Sequence, residues 1–112
     1  MKRYLLNSAV ITAPGTYVYD YLTPEQAREW YGYGPVISTI GYAETAAALS
    51  DLLGADIPVN KVNIVMYPGD EALVFRLVLP PGTPRLNPQD KGRISQIVHA
   101  GHWELGLLKR VD

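Results

Sequence analysis

The first apolar run, Tyr4 to Val10, reads as a strand that passes into Asn7-Ser8-Ala9, small polar residues that end it with backbone N–H groups exposed. Ala13-Pro14-Gly15 turns the chain. Thr16 to Leu22 then alternates β-branched and aromatic residues with others, the period of a second strand. Thr23-Pro24-Glu25-Gln26 starts a helix, with Thr23 as N-cap, Pro24 at the first helical position and Gln26 at the third, and Gly32 and Gly34 stop it. Val36 to Ile40 is a short β-prone stretch that leads into Gly41. From Ala43 to Leu53 nearly every residue favours a helix, which ends at Gly54; Leu49, Leu52 and Leu53 form its apolar stripe, and Ala46 to Ala48 allow close approach.

Asp56 to Asn60 reads as a loop. Lys61 to Tyr67 sets Val62, Ile64 and Met66 against Lys61, Asn63 and Val65, which predicts a half-buried strand. Pro68-Gly69 suits the centre of a type II turn, and Glu71 to Leu79 returns with Leu73, Phe75, Leu77 and Leu79 on one face, so the two runs predict a hairpin. Pro80 to Pro88 holds four prolines in nine residues and reads as a surface loop. Gly92 to Ala100 reads as a short helix and Trp103 to Val111 as a final strand. The chain contains no internal repeat. Its 112 residues are expected to form a single α/β domain, 1–112, large enough to bury a core without disulfides or a structural metal.

Composition narrows the function. Apolar residues make up 47% of the chain and charged residues 19%, a balance that argues against disorder and leaves no run able to span a bilayer. The protein is expected to be soluble, with no membrane partner. Met1-Lys2-Arg3-Tyr4-Leu5-Leu6-Asn7 lacks the apolar region of a signal peptide, and the absence of cysteine fits a reducing compartment, so the expected location is the cytoplasm. A net charge of −1 argues against wrapping a long nucleic acid but allows a small anion at a local site. Eight tyrosines stand out: Tyr17, Tyr19 and Tyr21 alternate, and Trp30, Tyr31 and Tyr33 cluster. Half-buried packing accounts for such rings, as does stacking on bases or a subunit interface.

Candidate chemistry is sparse. His99 and His102 straddle Gly101 with Glu104 nearby, a poor set for zinc, and no metal or other cofactor is expected. No dinucleotide fingerprint, Walker loop or nucleophile elbow is present. Ser8, Ser38, Thr39 and Thr45 can hydrogen-bond phosphate, and the strand-glycine-helix junction at Gly41 offers backbone donors and the positive end of a helix dipole. Serines and threonines at element ends also cap helices and close turns. If the first strand and the strand before Gly41 are neighbours, Asn7-Ser8-Ala9 and the start of the second helix face one pocket.

Four segments together resemble one family: Tyr4-Leu5-Leu6-Asn7-Ser8-Ala9, then Ser38 to Ala46, then Leu49 to Gly54 with Ile57 to Val62, and finally Pro68 to Leu77. They look like the viral ring nucleases, anti-CRISPR proteins of archaeal viruses and phages with cellular relatives. Glu104 to Leu108 also resembles that family's closing strand. The resemblance implies an α+β fold with a mixed β-sheet of about five strands flanked by helices. It further implies a homodimer and a pocket across the dimer axis that binds cyclic tetra-adenylate, a second messenger of type III CRISPR defence. In that family a ribose 2′-hydroxyl attacks the adjacent phosphate without metal. A histidine after the Ile-Gly pair protonates the leaving oxygen, and an arginine and a glutamate help to place the reacting groups.

At the histidine position this chain has Tyr42, whose phenol is a poor proton shuttle at neutral pH beside an imidazole. Where the family carries its arginine and glutamate, the chain reads Val78-Leu79-Pro80-Pro81-Gly82. The basic residue after Asn60 is retained as Lys61. The ligand-binding set expected from these residues is Asn7, Ser8, Ala9, Ser38, Gly41, Tyr42, Thr45 and Lys61, with Tyr42 the candidate for any catalytic role. The leading expectation is a sponge that sequesters a cyclic oligonucleotide or related defence messenger. A ring nuclease whose proton donor has moved to Tyr42, His99 or His102 is the alternative, and a non-nucleotide interaction module is a third.

Overall fold

The computed structural model describes residues 1–78, 81–82, 96–97 and 100–112. Among them the elements run β1 (Arg3–Leu6), β2 (Tyr17–Leu22), α1 (Pro24–Tyr31), β3 (Ile37–Ser38), α2 (Ala43–Leu53), β4 (Glu71–Leu77) and β5 (Trp103–Arg110). The strands form one mixed sheet in the order β2-β5-β4-β1-β3, an α+β arrangement. β1 lies parallel to both β3 and β4, whereas β5 runs antiparallel to β4 and β2.

Local chemistry sets both helices. At the start of α1 the Gln26 amide donates to Thr23 Oγ1 at 3.2 Å, and the Thr23 amide donates to Gln26 Oε1 at 2.9 Å, a complete capping box. α2 ends where Gly54 takes a left-handed φ of 65°, a conformation glycine adopts without steric penalty. Both helices bury their apolar stripes on the same face of the sheet. There Ala27 and Trp30 of α1 and Ala46, Leu49 and Leu53 of α2 pack against Leu5, Leu73, Phe75 and Leu105. Burying each large apolar side chain of this kind stabilises the fold by about 1.5–3 kcal/mol. Arg3 joins this layer as a buried cation. Its guanidinium lies 4.0 Å from the centre of the Trp30 ring and donates to the carbonyls of Trp30 and Gly34, satisfying backbone acceptors where α1 ends.

The opposite face carries Tyr4, Leu6, Ala72, Val74 and Leu108 beside Tyr17 and Tyr19 of β2, and Met66 and Ile64 pack against it. Here the structure corrects the expected hairpin. Residues 61–67 form no strand, because β4 is already paired on both edges, with β1 and with β5, and has no free edge to offer. Alternate residues of the segment pack on the sheet face, Met66 buried and Ile64 half-buried, so their period of two reports coverage of that face and not membership of a ladder. The turn itself is as expected: the Asp70 amide donates to the Tyr67 carbonyl at 2.9 Å around Pro68-Gly69, with Gly69 at φ 93°. Asp70 locks the turn by accepting from the amides of Tyr67 and Lys2.

The outer edge of β3 is also covered. The Asn60 amide donates to the Ile40 carbonyl at 2.8 Å and its side-chain nitrogen to the Ser38 carbonyl at 2.8 Å, which closes a short edge that would otherwise expose backbone acceptors. Most of the helix expected over 92–100 and most of the proline-rich loop lie outside the described residues, as does His99; Gln96 and Ile97 are helical.

Candidate functional site

Adjacent parallel strands whose chains leave for opposite faces of a sheet open a crevice beyond their C-terminal ends. β1 and β3 are such a pair. Their register pairs Tyr4 with Ile37 and Leu5 with Ser38, and the ladder is continued by Thr39, whose amide and hydroxyl both donate to the Leu5 carbonyl at 3.0 and 2.7 Å. After β1 the chain passes through Asn7, Ser8 and Ala9 to Thr12, whose hydroxyl accepts from the Met66 amide on the face away from the helices. After β3 it passes through Gly41 and Tyr42 into α2 on the helical face. The expected adjacency of the two junctions is therefore present in the sheet itself.

Each expected residue then has a definite place. Asn7 and Ala9 are exposed and Ser8 half-buried. Tyr42 is the N-cap residue of α2, 37% exposed, in extended conformation and without a side-chain capping bond. Tyrosine is outside the set of good N-caps, and its side chain offers the first amides of α2 no capping acceptor, in contrast to Thr23 at α1. A Cβ added at Gly41 would lie 3.3 Å from Lys61 Cγ and 3.5 Å from its Cβ, which means that the lysine stem runs along Gly41. That close approach brings Lys61, distant in sequence, to the start of α2 with the residue itself exposed. Glu44 lies in the first turn of the same helix, so the junction carries one charge of each sign.

Two of the expected residues are turned inward. Ser38 is 5% exposed; its hydroxyl donates to the Pro58 carbonyl at 2.8 Å and accepts from the Ile40 amide at 3.2 Å, which ties the segment after α2 to β3. Thr45 is 6% exposed within the helix. His102 is half-buried just before β5, its amide bonded to the Ile97 carbonyl, and Glu104 is paired with Arg76 at 2.8 Å. Among the described residues no three His, Cys, Asp or Glu side chains gather as a metal site needs. No helix among them is long and apolar enough to cross a membrane. Asn60 is the residue that reading the sequence missed: its two bonds to the β3 edge place Lys61, and an asparagine in a loop gives no sign of such a partner.

A family model of STIV B116-like proteins matches residues 3–82, which contain both strand exits and all of α2. The chain belongs to the STIV B116-like family. The chain is 33% identical over 79 residues to the uncharacterised protein YddF of Bacillus subtilis, covering 69% of this chain and 73% of that one. It is 29% identical over 114 residues to the uncharacterised ORF117 of Acidianus two-tailed virus, covering 97% and 93% of the two chains. The family fold is also that of B116 from Sulfolobus turreted icosahedral virus, which superposes with a TM-score of 0.74 at 22% identity over 98% of this chain and 100% of that chain. Relatives thus include proteins of archaeal viruses as well as a bacterial one.

Proposed function

We propose that this protein is an anti-defence sponge: a homodimer that sequesters a cyclic nucleotide messenger, a cyclic oligoadenylate or a related ring, at the shared exit of β1 and β3. The observation that carries this reading is the α2 junction, where a helix start without a side-chain cap meets the Lys61 stem laid along Gly41. The amides at a helix start and the helix dipole favour a phosphate, and the exposed Lys61 adds a cation. Asn7 and Ser8 supply polar groups at the neighbouring exit, and the half-exposed Tyr42 ring offers a face on which a base can stack. The sequence resemblance to viral ring nucleases supports the same ligand class. A cyclic ligand with repeated phosphates suits two copies of such a junction related by a two-fold axis. Tyr42 in place of histidine favours holding the ring over opening it.

The protein is tested by incubation with a panel of cyclic di-, tri- and tetranucleotides and cyclic ADP-ribose variants, followed by denaturation and chromatography. Recovery of intact ligand is expected, bound to a species that light scattering reports as a dimer. A linear product that disappears in Tyr42→Phe would instead make the protein a ring nuclease with Tyr42 as its acid. Failure to retain any of these ligands would leave an interaction module of another kind.

A further inference from the structure

We infer that Arg110 is a positioning residue for this site, acting on the two loops that border it from their far ends; the inference rests on the nucleotide reading above. Both loops lack regular structure: residues 7–16 join β1 to β2, and residues 54–70 join α2 to β4. Near the site they are fixed by β1 itself and by the Asn60–Ile40 bond. At the other end their backbones meet at Arg110, the last residue of β5.

Its guanidinium donates through Nη1 to the Met66 carbonyl at 2.6 Å, through Nη2 to the Pro14 carbonyl at 2.8 Å and through Nε to the Asp112 carbonyl at 3.2 Å. The Met66 amide donates to Thr12 Oγ1 at 2.9 Å, so residue 66 is gripped from both sides, once by the first loop and once by Arg110. The Arg110 main chain is itself held to the turn before β4, accepting from the Gly69 amide at 2.7 Å and donating to the Asp70 carbonyl at 3.1 Å. A planar, permanently charged fork can serve three carbonyls at once, and such charge-assisted bonds are stronger than neutral ones. A lysine cannot reproduce the fork.

Asn7, Ser8 and Ala9 lie between β1 and this grip, and Lys61 lies between Asn60 and Met66. Both stretches are therefore closed at two ends before any ligand arrives. Released at one end, each samples more conformations, and only a fraction of molecules presents Lys61 and the Asn7–Ala9 backbone together. The apparent affinity falls by that fraction, and the loss appears in association because the bound state, once formed, is unchanged.

The test uses cyclic tetra-adenylate as probe and the variants Arg110→Lys and Thr12→Val. Each is expected to slow association about tenfold while leaving dissociation within about twofold of wild type. The double variant should lose little more than either single one, since both release the same peptide. In the ligand-free protein, hydrogen exchange should quicken across 8–15 and 61–66 and stay unchanged in α2. If Arg110→Lys does not fold, Thr12→Val carries the test alone. A drop in thermal stability with an unmoved association rate would overturn the positioning role and leave the nucleotide reading standing. Wild-type protein that fails to bind the ring would overturn both.

Discussion

Gly106→Ala probes how the sheet face away from the helices is closed. Gly106 is buried in β5, opposite Tyr21 of β2 on one side and Val74 of β4 on the other. The Tyr19 ring rests directly on it: an added Cβ would overlap Cζ, Cε1 and the hydroxyl of that ring. Two responses are open to the variant. If the ring stays, β5 and β2 must move apart, an overpacking that costs about 1–3 kcal/mol. If the half-buried ring swings out, the loss is at most roughly half of the 1.5–3 kcal/mol for full burial of such a side chain. The cheaper route governs, and replacing glycine in a strand returns about 0.5–1 kcal/mol by lowering the freedom of the unfolded chain. The net destabilisation should be at most about 1 kcal/mol by urea unfolding. In a Tyr19→Ala background the obstruction is gone, so the same Gly106→Ala change should stabilise by about 0.5–1 kcal/mol. The glycine term cancels between the backgrounds, so the coupling between the two sites should be at most about 1.5 kcal/mol. Equal effects of Gly106→Ala in both backgrounds would refute the account.

The phenols of Tyr4 and Tyr19 both titrate above their ordinary value. Burial is the main cause; the charges of Asp70 and Tyr67 add to it at Tyr4, and at Tyr19 Glu104 adds while Arg76 opposes. The folded chain then holds these protons longer than the unfolded one, so the stability they contribute is complete below about pH 10 and is lost as pH rises through the raised values. The urea midpoint should fall in that range, and Tyr19→Phe should flatten its slope; an unchanged slope in both Tyr4→Phe and Tyr19→Phe would count against it. Thr23→Ala removes the capping box of α1 and should cost about 0.5–2 kcal/mol by the same measurement. Lys61→Ala should leave folding nearly intact, weaken binding of the cyclic nucleotide and reduce its salt dependence; an affinity equal to that of wild type at both low and high salt would take Lys61 out of the site.

Elements specified by short-range chemistry were legible in the sequence. The Thr23–Gln26 box, the Ala43–Leu53 helix with its Gly54 terminus and the Pro68-Gly69 turn each depend on contacts within a few residues, and each lies where the residues alone place it. The two strand exits were legible as small polar and glycine junctions, and their adjacency needed only that β1 and β3 pair. Segment 61–67 was not legible, because a chain laid across a sheet face and a chain paired within a sheet bury the same alternate residues; only the occupancy of both β4 edges separates them. Ser38 shows the converse. A serine beside a helix start is chemically able to meet a phosphate, yet its hydroxyl turns inward because the Pro58 carbonyl, twenty residues on, stands beside it in the folded chain. Arg110 carries no local sign of its role, since the carbonyls that it joins come from Pro14, Met66 and Asp112. Backbone acceptors look alike at every position of a sequence, and which of them come within reach of one guanidinium is decided only when the sheet order brings those segments to the end of β5.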